Sequence, residues 1–249
     1  GFPREVLATG LDACFSEWTQ ENFFGLLNQE FGDPTRLQSF GSLSSHSLAM
    51  VHGPQLIAHI APGNLPAPIF QSIAFGLLLR SAQFVKCASG KSLLPRLFGH
   101  SLHYVDPGLA SVLEIAEWDG GNEMLEGELF KEADCVVATG SDKTVHAIRK
   151  RLPLGKQFIG YGHRVSLGYI EQLANEVMGT QTIISRAADD VVAWNQQGCL
   201  SPHVIYVEEF GNLNPDRFAE MLAEELTARS ETLPRGEISP KEAATIANM

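Results

Sequence analysis

Short apolar segments alternate with segments of helical periodicity along residues 53–165, and this alternation is the strongest constraint on the fold. Each apolar segment is nearly continuous, as in a strand that is buried on both faces. Strands separated by helices are typical of βαβ units, in which the strands run parallel. The pattern therefore predicts an α/β domain with a parallel sheet, whose strands lie in the segments PQLIAHIAPGN, AQFVKCAS, VLEIAEW, DCVVATGS and KQFIGYGH.

The residues on either side of this alternation have a different pattern. Apolar residues recur at helical spacing near the start of the chain, and we predict a mainly helical segment over residues 1–50. Beyond a central domain over residues 51–165, the pattern predicts a long helix over residues 168–195. The strand HVIYVEE and the helix NPDRFAEMLAEELTAR follow it, within a third segment over residues 166–249.

Ligands bind beyond the carboxyl ends of the strands in open parallel sheets. Four of the predicted strands end in polar or glycine-rich residues, which predicts a nucleotide crevice along one edge of the sheet. These four strand ends are Pro62-Gly63-Asn64, Lys86-Cys87-Ala88-Ser89, Ala138-Thr139-Gly140-Ser141 and Gly160-Tyr161-Gly162-His163-Arg164.

The charge of the chain excludes several classes of partner. The formal net charge is −11 and no long basic run is present, so neither nucleic acid nor an anionic membrane surface is an expected partner. No apolar run approaches the ~20 residues that a bilayer-spanning helix needs, and we expect a cytoplasmic protein. The four cysteines form no CxxC pair and the eight histidines have no metal-binding spacing, so no metal site is predicted.

The turn Thr139-Gly140-Ser141 stands between a predicted strand and a predicted helix. A glycine lets the backbone approach a ligand, and unpaired N–H groups at a helix N-terminus attract phosphate. An ordinary helix cap at Ser141 or Asp142 has the same pattern, and both interpretations remain open. No GxGxxG motif follows the first strand, so the standard Rossmann dehydrogenase fingerprint is absent.

Two further strand ends have side chains that suit a ligand. Lys86 ends the strand QFVK and can reach ribose hydroxyls or a phosphate, although a surface lysine is the commoner role there. Asn64 in GNLPAPI can donate an amide hydrogen bond to an oxyanion, or belong to a plain loop.

The segment WNQQGCLSPH ends a helical pattern in side-chain amides and a glycine and then places Cys199 near a proline. A reactive cysteine needs access and a lowered thiol pKa. Gly198 gives access to the backbone, and the N–H of Cys199 could face a developing oxyanion. A buried thiol at a helix end is the alternative, and the composition does not decide between the two.

Five motifs occur in order along the chain: HIAPGNLPAP, KCASGKS, VVATGSDKTV, GYGHRVSLG and WNQQGCLSPH. Together they resemble the acyl-CoA reductase family of the bacterial luminescence fatty acid reductase type, a branch of the aldehyde dehydrogenase superfamily. The resemblance covers nearly all of the chain beyond the N-terminal segment. It implies a Rossmann-like nicotinamide-cofactor domain of the aldehyde dehydrogenase type over residues 51–165, followed by the start of an α/β catalytic domain over residues 166–249.

The resemblance implies a role for individual residues. Cys199 matches the nucleophile, and Asn64 matches the asparagine whose side-chain amide forms the oxyanion hole with the Cys199 N–H. Lys86 matches the lysine that contacts the adenosine ribose, and Gly140 and Ser141 match the pair beneath the pyrophosphate. The cofactor-binding candidates are Lys86, Ser89, Thr139, Gly140, Ser141 and Gly162; His163 is the candidate proton donor, with His203 as the alternative.

Two departures from the aldehyde dehydrogenase pattern predict the direction of the reaction and the cofactor. Gly160 stands where such enzymes usually have a glutamate that activates water against the acyl-enzyme, and its absence favours reduction over hydrolysis. Ser89 stands where relatives that prefer NAD often have a glutamate against the ribose. A neutral serine leaves room for a 2′-phosphate and predicts NADPH, with NADH as the alternative.

The resemblance implies reduction of an acyl-CoA or acyl-carrier thioester to an aldehyde through an acyl-cysteine. The alternatives are an aldehyde dehydrogenase working in the oxidative direction and a non-catalytic nucleotide-binding fragment. An acyl-protein synthetase is a candidate partner, and a homo-oligomer is expected for the full-length form. The chain lacks an initiator methionine and ends in SPKEAATIANM, which has the start signals of a helix, and we interpret it as truncated.

Overall fold

The computed structural model of the chain describes residues 2–209 and 213–236. Two compact units are formed, one by Ser16–His163 and the other by Gly1–Phe15 together with Arg164–Met249. The elements in chain order are α1 (Arg4–Ser16), α2 (Gln20–Phe31), β1 (Gly41–Ser44), β2 (Ser47–Ala49), β3 (Leu56–Ile60), α3 (Ala67–Leu78), β4 (Ala82–Cys87), α4 (Leu93–Val105), α5 (Pro107–Ala110), β5 (Leu113–Glu117), α6 (Glu123–Glu132), β6 (Cys135–Thr139), α7 (Asp142–Arg151), β7 (Gln157–Tyr161), β8 (Ser166–Ile170), α8 (Gln172–Met178), α9 (Thr180–Val192), β9 (Pro202–Val207) and α10 (Pro215–Arg229).

A five-stranded sheet lies at the centre of the unit Ser16–His163, with the strand order β5-β4-β3-β6-β7. All four strand pairings are parallel, so the carboxyl ends of the five strands meet at one edge. The chain adds β4 and β5 on one side of β3 and then β6 and β7 on the other. This reversal is the topological switch point at which ligands bind in open α/β sheets. The predicted α/β fold and its five strands are confirmed.

The alternation of side chains along β3 explains why both faces of the sheet are covered. Ala58 and Ile60 pack with Phe130 of α6 and Ile148 of α7 in one buried cluster. His59 points to the opposite face, where its ring meets α3. Because every second side chain is buried on each face, the strand needs an apolar layer on both sides.

A buried polar network joins β3, β4 and α3. His59 is 2% exposed, and its Nδ1 lies 2.8 Å from the hydroxyl of Ser72. Its Nε2 lies 2.8 Å from Oε1 of Gln83, whose amide nitrogen donates to the carbonyl of Ile73 at 3.1 Å. The Gln83 amide orientation assigns the proton of a neutral His59 to Nε2. Gly76 leaves the space that the Gln83 side chain fills.

The second unit contains a parallel pair of strands, β8 and β9, and the helices α1, α8, α9 and α10. Its core is a cluster in which Ile183 and Ile184 of α9 pack with Leu213 and Phe218. The predicted long helix over residues 168–195 is wrong. The chain there forms the end of β8, then α8 and α9, because Gly179 adopts a φ of +80° and separates the two helices.

The N-terminal segment differs in part from the mainly helical prediction. After α1 and α2, a short 3-10 helix over Pro34–Leu37 leads into the antiparallel hairpin β1–β2, which the sequence did not predict. Over the residues described, no helix has both the length and the apolar character that crossing a membrane requires. The C-terminal helix start that the sequence predicts, SPKEAATIANM, lies outside the described residues.

Candidate functional site

The loops after β3 and β4 lie side by side at the carboxyl edge of the sheet. The N–H of Ala61 donates to the carbonyl of Lys86 at 2.9 Å, which extends the strand pairing into the first loop. A Cβ on Gly63 would stand 3.4 Å from the Cβ of Ala88, an ordinary contact between the two loops. The exposed Asn64 is therefore carried on a loop that packs against the Lys86–Ser89 segment.

The ends of β6 and β7 are joined at the same edge. The N–H of Gly140 donates to the carbonyl of Tyr161 at 3.1 Å. Asp142, the first residue of α7, accepts a hydrogen bond from the His163 N–H through its Oδ1 at 2.7 Å. A side chain on Gly162 would collide with that same carboxylate oxygen. A glycine at this position is therefore what allows Asp142 to hold the end of β7.

Ser141 caps α7. Its hydroxyl oxygen accepts from the N–H of Thr144 at 3.2 Å and lies 2.9 Å from the Thr144 hydroxyl. The ordinary helix cap, one of the two interpretations of this turn, is thus present. Thr139 ends β6 and pairs with Tyr161, so Thr139, Gly140 and Ser141 connect the sheet edge directly to the helix N-terminus. An anion at this place would bind the other N–H groups of the first turn.

Lys86 is a buried cation at the end of β4. The residue as a whole is 5% exposed, and its ammonium lies 6.0 Å from the centroid of the Trp118 ring, within cation–π range. In the part of the chain that the structure describes, no carboxylate lies within 4.0 Å of this ammonium, and the buried indole Nε1 of Trp118 has no acceptor. The indole N–H of Trp118 is therefore a buried donor without a protein acceptor at this corner of the sheet.

The carboxyl end of β5 adds two acidic residues that the sequence analysis missed. Ser89 donates its hydroxyl hydrogen to the carboxylate of Asp119. The Gly90 N–H donates to Oε1 of Glu117 at 2.7 Å. Hydrogen bonds from the Ser92 hydroxyl and from the Gly90 N–H hold the pKa of Glu117 below its ordinary value. The run Trp118-Asp119-Gly120-Gly121 is polar and glycine-rich after an apolar strand, which is the signal used for the other four strand ends.

Gly160 lies on β7 with α7 directly beyond its α-carbon. A Cβ at this position would stand 2.7 Å from Cγ1 of Val145 and 2.8 Å from a ring carbon of Phe158. The same residue lines a groove of about 730 Å³ between α7 and β7, which is also bordered by His146 and Arg149. The structure thus has neither a carboxylate at residue 160 nor the space for one in the present arrangement of Val145.

Cys199 lies in the second unit, in a tight turn closed by the hydrogen bond from the Ser201 N–H to the Gly198 carbonyl at 3.1 Å. The Ser166 hydroxyl donates to the Cys199 carbonyl at 2.6 Å, which fixes the turn against the start of β8. The thiol is exposed. Of the two interpretations, a buried thiol at a helix end is therefore wrong.

A left-handed backbone segment precedes this turn. Trp194, Asn195 and Gln196 have φ values of 52°, 55° and 58°, so α9 does not continue to the cysteine. Each such non-glycine residue costs roughly 1–2 kcal/mol. The Trp194 ring offsets part of this cost because it packs against Gly10 of α1 and edge-on against Phe2, with ring centroids 5.5 Å apart.

The four cysteines differ in exposure, and all of them lie among the described residues. Cys87 and Cys135 are buried and Cys14 is half-buried, whereas Cys199 is exposed. Burial raises the pKa of Cys14 and Cys135, and burial together with the nearby Glu117 raises the pKa of Cys87 to about 11. Cys199 is therefore the one thiol of the four that solvent or a substrate reaches freely.

The two histidine candidates lie in different units. His163 is exposed at the end of the first unit, and its backbone N–H is held by Asp142. His203 is exposed on β9 of the second unit. Within the described ranges, no group of three or more His, Cys, Asp or Glu side chains is arranged to hold a metal ion.

The model of the acyl-CoA reductase (LuxC) family matches residues 3–249. Among curated proteins, the chain is similar to the long-chain acyl-protein thioester reductase of Photorhabdus luminescens, with 26% identity over 71% of this chain and 36% of that protein. The chain thus spans little more than a third of the length of this relative.

The fold is similar to that of aldehyde dehydrogenases of known structure. Indole-3-acetaldehyde dehydrogenase, solved with NAD+, matches 83% of this chain and 40% of its own length at 19% identity and a TM-score of 0.57. Betaine aldehyde dehydrogenase of Staphylococcus aureus, also solved with NAD+, matches 69% of this chain and 33% of its own length at 18% identity and a TM-score of 0.54. These similarities show the fold that the motifs predicted.

Proposed function

Because the chain belongs to the acyl-CoA reductase (LuxC) family, we propose that it reduces an acyl thioester to an aldehyde through an acyl group carried on Cys199. The observation that carries this proposal is the exposed Cys199 in its hydrogen-bonded turn, while the other three cysteines are buried or half-buried. The substrate is a thioester of coenzyme A or of a carrier protein. The similar protein of Photorhabdus luminescens acts, by its name, on a long-chain acyl-protein thioester.

A nicotinamide dinucleotide is the proposed cofactor, and the residues of the sheet edge fit it. Lys86 is a buried residue whose ammonium has no carboxylate partner among the described residues, which suits a ligand rich in hydroxyl and phosphate oxygens. The N-terminus of α7, reached through Gly140 and Ser141, is suited to a pyrophosphate. The bound cofactor would supply a hydride to the acyl carbon.

Nucleophilic attack is the proposed role of Cys199. Its thiolate adds to the carbonyl carbon of the substrate thioester, the bond from that carbon to the leaving sulfur breaks, and the carrier departs as a thiolate. The Asn64 amide and the Cys199 N–H are the proposed donors to the carbonyl oxygen when it becomes negatively charged. His163 is the proposed proton donor, with His203 as the alternative.

The absence of a base at residue 160 supports reduction over hydrolysis. A carboxylate there would activate water against the acyl-enzyme. Gly160 has no side chain, and Val145 and Phe158 occupy the space beyond its α-carbon. The acyl group is therefore expected to persist on Cys199 until it is reduced. This argues against an aldehyde dehydrogenase working in the oxidative direction.

Mass spectrometry of the protein mixed with an acyl-CoA, without any cofactor, tests the proposal. We expect one added acyl group, which peptide mapping assigns to Cys199. Cys199→Ala should remove the adduct, while Cys14→Ala is the matched control and should retain it. No adduct with acyl chains of any length would overturn the proposal and favour the non-catalytic alternative.

The oxyanion role of Asn64 is tested by the rate of acylation. Loss of one oxyanion donor typically costs about 10²–10³ in rate, so Asn64→Ala should acylate more slowly by about that factor. Acylation of Asn64→Ala at the unaltered rate would remove this residue from the mechanism.

The remaining expectations concern assembly and cofactor choice. An acyl-protein synthetase as a supplier of the acyl group, and a homo-oligomer of the full-length form, are proposals that rest on the family. NADPH is the proposed dinucleotide because Ser89 is neutral, with NADH as the alternative. The Ser89 hydroxyl donates to the carboxylate of Asp119, and the dissociation constants of NADPH and NADH, measured by titration, decide between the two dinucleotides.

A further inference from the structure

Positive charge is concentrated in one part of the first unit. Residues 142–163, which comprise α7, β7 and the loops beside them, hold five of the 18 lysines and arginines and one of the 29 acidic residues. Their formal charge is +4, whereas the rest of the chain has −15. Salt screens exposed charges that are more than about 8 Å apart, so a partner bound here responds mainly to the local charge. The net charge of −11 therefore does not exclude an anionic partner at this place.

Four of these five cations have no ionic partner in the described part of the chain. Arg151 is the exception, because its guanidinium lies 2.5 Å from a carboxylate oxygen of Glu126 and also packs over the Phe130 ring. No carboxylate oxygen lies within 4.0 Å of the other four cationic groups, among the residues that the structure describes. These four residues, which we call the basic cluster, are Lys143, Arg149, Lys150 and Lys156.

Three members of the basic cluster lie on one side of α7. Ile148 of this helix packs into the core of the first unit. The three exposed cations of the helix lie roughly 100–160° around its axis from Ile148, so they are turned away from the core. They are Lys143, Arg149 and Lys150. Lys156 borders the groove between α7 and β7 together with Arg149, so the loop residue adjoins the cations of the helix.

The stability of α7 explains only part of the basic cluster. Arg149 and Lys150 are in the last turn, where cations interact favourably with the helix dipole. Lys143 is in the first turn, where the dipole disfavours a cation, and Lys156 lies beyond the end of the helix. The helix dipole therefore accounts for two of the four cations.

An apolar side chain lies beside the basic cluster. Leu154, in the loop between α7 and β7, is fully exposed to water. It borders the same groove as Arg149 and Lys156, so the leucine and the two cations are neighbours in space. Transfer of a leucine side chain from water to an apolar medium is favourable. An apolar side chain next to several cations suits the boundary between the headgroups and the acyl chains of an anionic bilayer.

We infer that this surface of the first unit binds an anionic lipid bilayer, with Leu154 inserted below the headgroups and the basic cluster against the lipid phosphates. The cluster alone also fits a nucleic acid, whose phosphates attract the same cations. Leu154 favours the bilayer, because a phosphate backbone gives an apolar side chain no medium in which to be buried. The inference goes beyond the proposed thioester chemistry and does not depend on it.

Co-sedimentation of the whole chain with lipid vesicles tests the inference. One set of vesicles contains phosphatidylcholine mixed with phosphatidylglycerol, and the other contains phosphatidylcholine alone. We expect the partition coefficient to be at least about tenfold larger for the anionic vesicles, because each basic residue near an anionic surface contributes about fivefold. Partitioning into the anionic vesicles should weaken as salt is added, because salt screens the attraction.

Two pairs of variants separate the contribution of charge from that of apolar insertion. Arg149→Gln should weaken partitioning into the anionic vesicles about fivefold. Its matched control is Arg96→Gln, which removes an exposed arginine of α4 and should have little effect. Leu154→Ser should weaken partitioning about tenfold, because it removes the inserted side chain. Leu43→Ser, at an exposed position of β1, is the control for that change and should bind as the unaltered chain does. Circular dichroism checks that each variant is folded.

Three results would overturn the inference. These are equal partitioning into the two kinds of vesicle, equal effects of Arg149→Gln and Arg96→Gln, and unaltered partitioning of Leu154→Ser. An absence of vesicle binding would overturn it as well, and duplex DNA that Arg149→Gln binds more weakly would then assign the basic cluster to nucleic acid. Acylation of Cys199 is measured without vesicles, so a failure here leaves the proposed function standing.

Discussion

Val145 of α7 occupies the space beyond the α-carbon of Gly160 on β7, where a Cβ would stand 2.7 Å from its Cγ1 atom. Residue 160 therefore has no side chain, and packing also closes the space that a side chain would need. Adding a side chain at residue 160 needs a compensating change in α7. This relationship leads to the first prediction.

Gly160→Ala should destabilise the protein by about 1–3 kcal/mol, the usual cost of forcing atoms into a packed site. Chemical denaturation measures the change. Gly120→Ala is the control, because a Cβ there meets nothing within 4 Å. Combining Gly160→Ala with Val145→Ala should cost less than the sum of the two single changes. Equal stability of Gly160→Ala and Gly120→Ala would contradict this account.

Gly10→Ala should disturb the turn that leads to Cys199, although the two residues are far apart in sequence. A Cβ at residue 10 would stand 2.6 Å from the Trp194 ring, and Trp194 begins the left-handed segment. We expect a loss of about 1–3 kcal/mol in the free energy of unfolding and a changed rate of Cys199 alkylation. Gly25→Ala in α2 is the control, because residue 25 has open space around it. It should lower the free energy of unfolding by no more than a few tenths of that loss and leave the rate of Cys199 alkylation unaltered.

Acid should destabilise the protein through His59. Burial lowers the pKa of this imidazole from 6.5 to about 4, and a hydrogen bond to Gln83 opposes part of that effect. Between these two values the unfolded chain binds a proton that the folded chain does not, so stability falls as the pH falls. The full difference corresponds to about 3 kcal/mol, and below about pH 4 this residue contributes no further loss.

Denaturation midpoints measured from pH 7 to pH 4 check the His59 prediction. His59→Asn should be less stable at pH 7 and should lose less stability on acidification than the unaltered chain. His100→Asn removes an exposed histidine and should keep the original pH dependence. If His59→Asn and the unaltered chain lose stability in parallel over this range, His59 is not the group that titrates.

Thiol labelling should distinguish Cys199 from the other cysteines. At pH 8 we expect one fast equivalent with a disulfide reagent, because the other three thiols are buried or half-buried and have raised pKa values. Cys199→Ser should abolish the fast phase, and Cys87→Ser should preserve it. More than one fast equivalent in the folded protein would mean that the burial of Cys14, Cys87 or Cys135 is not maintained in solution.

Much of the first unit could be predicted because its strands are continuous apolar runs with clear ends. The segment over residues 168–195 could not, since Leu167, Gly168, Tyr169 and Ile170 fit both a helix and a strand until Gly179 breaks the pattern. The end of β5 was not predicted to face a ligand, although it is polar and glycine-rich like the four strand ends that were. That Ser89 bonds to Asp119 depends on β4 lying next to β5, which strand order decides and local sequence does not.

The same distinction between local sequence and tertiary packing applies to the candidate site residues. The exposed turn at Cys199 comes after a backbone segment that is left-handed from Trp194 to Gln196, and no residue type in WNQQG requires that conformation, because none of the three residues involved is glycine. The cap at Ser141 was one of two interpretations of the same pattern, and only the Thr144 hydrogen bonds distinguish it. Local sequence patterns thus mark the residues of these turns, and tertiary packing determines the conformation and contacts of each one.

The packing of Trp194 on Gly10 has a consequence for synthesis on the ribosome. Ser16–His163 is a continuous stretch that can collapse as soon as it emerges. Helix α1 is made before that stretch, yet Trp194, on which its Gly10 packs, lies on the far side of it in the chain. Closing so long a loop costs conformational entropy, and contacts between residues far apart in the chain therefore form slowly. Helix α1 is therefore among the last elements of its own unit to dock, although it is made before most of them.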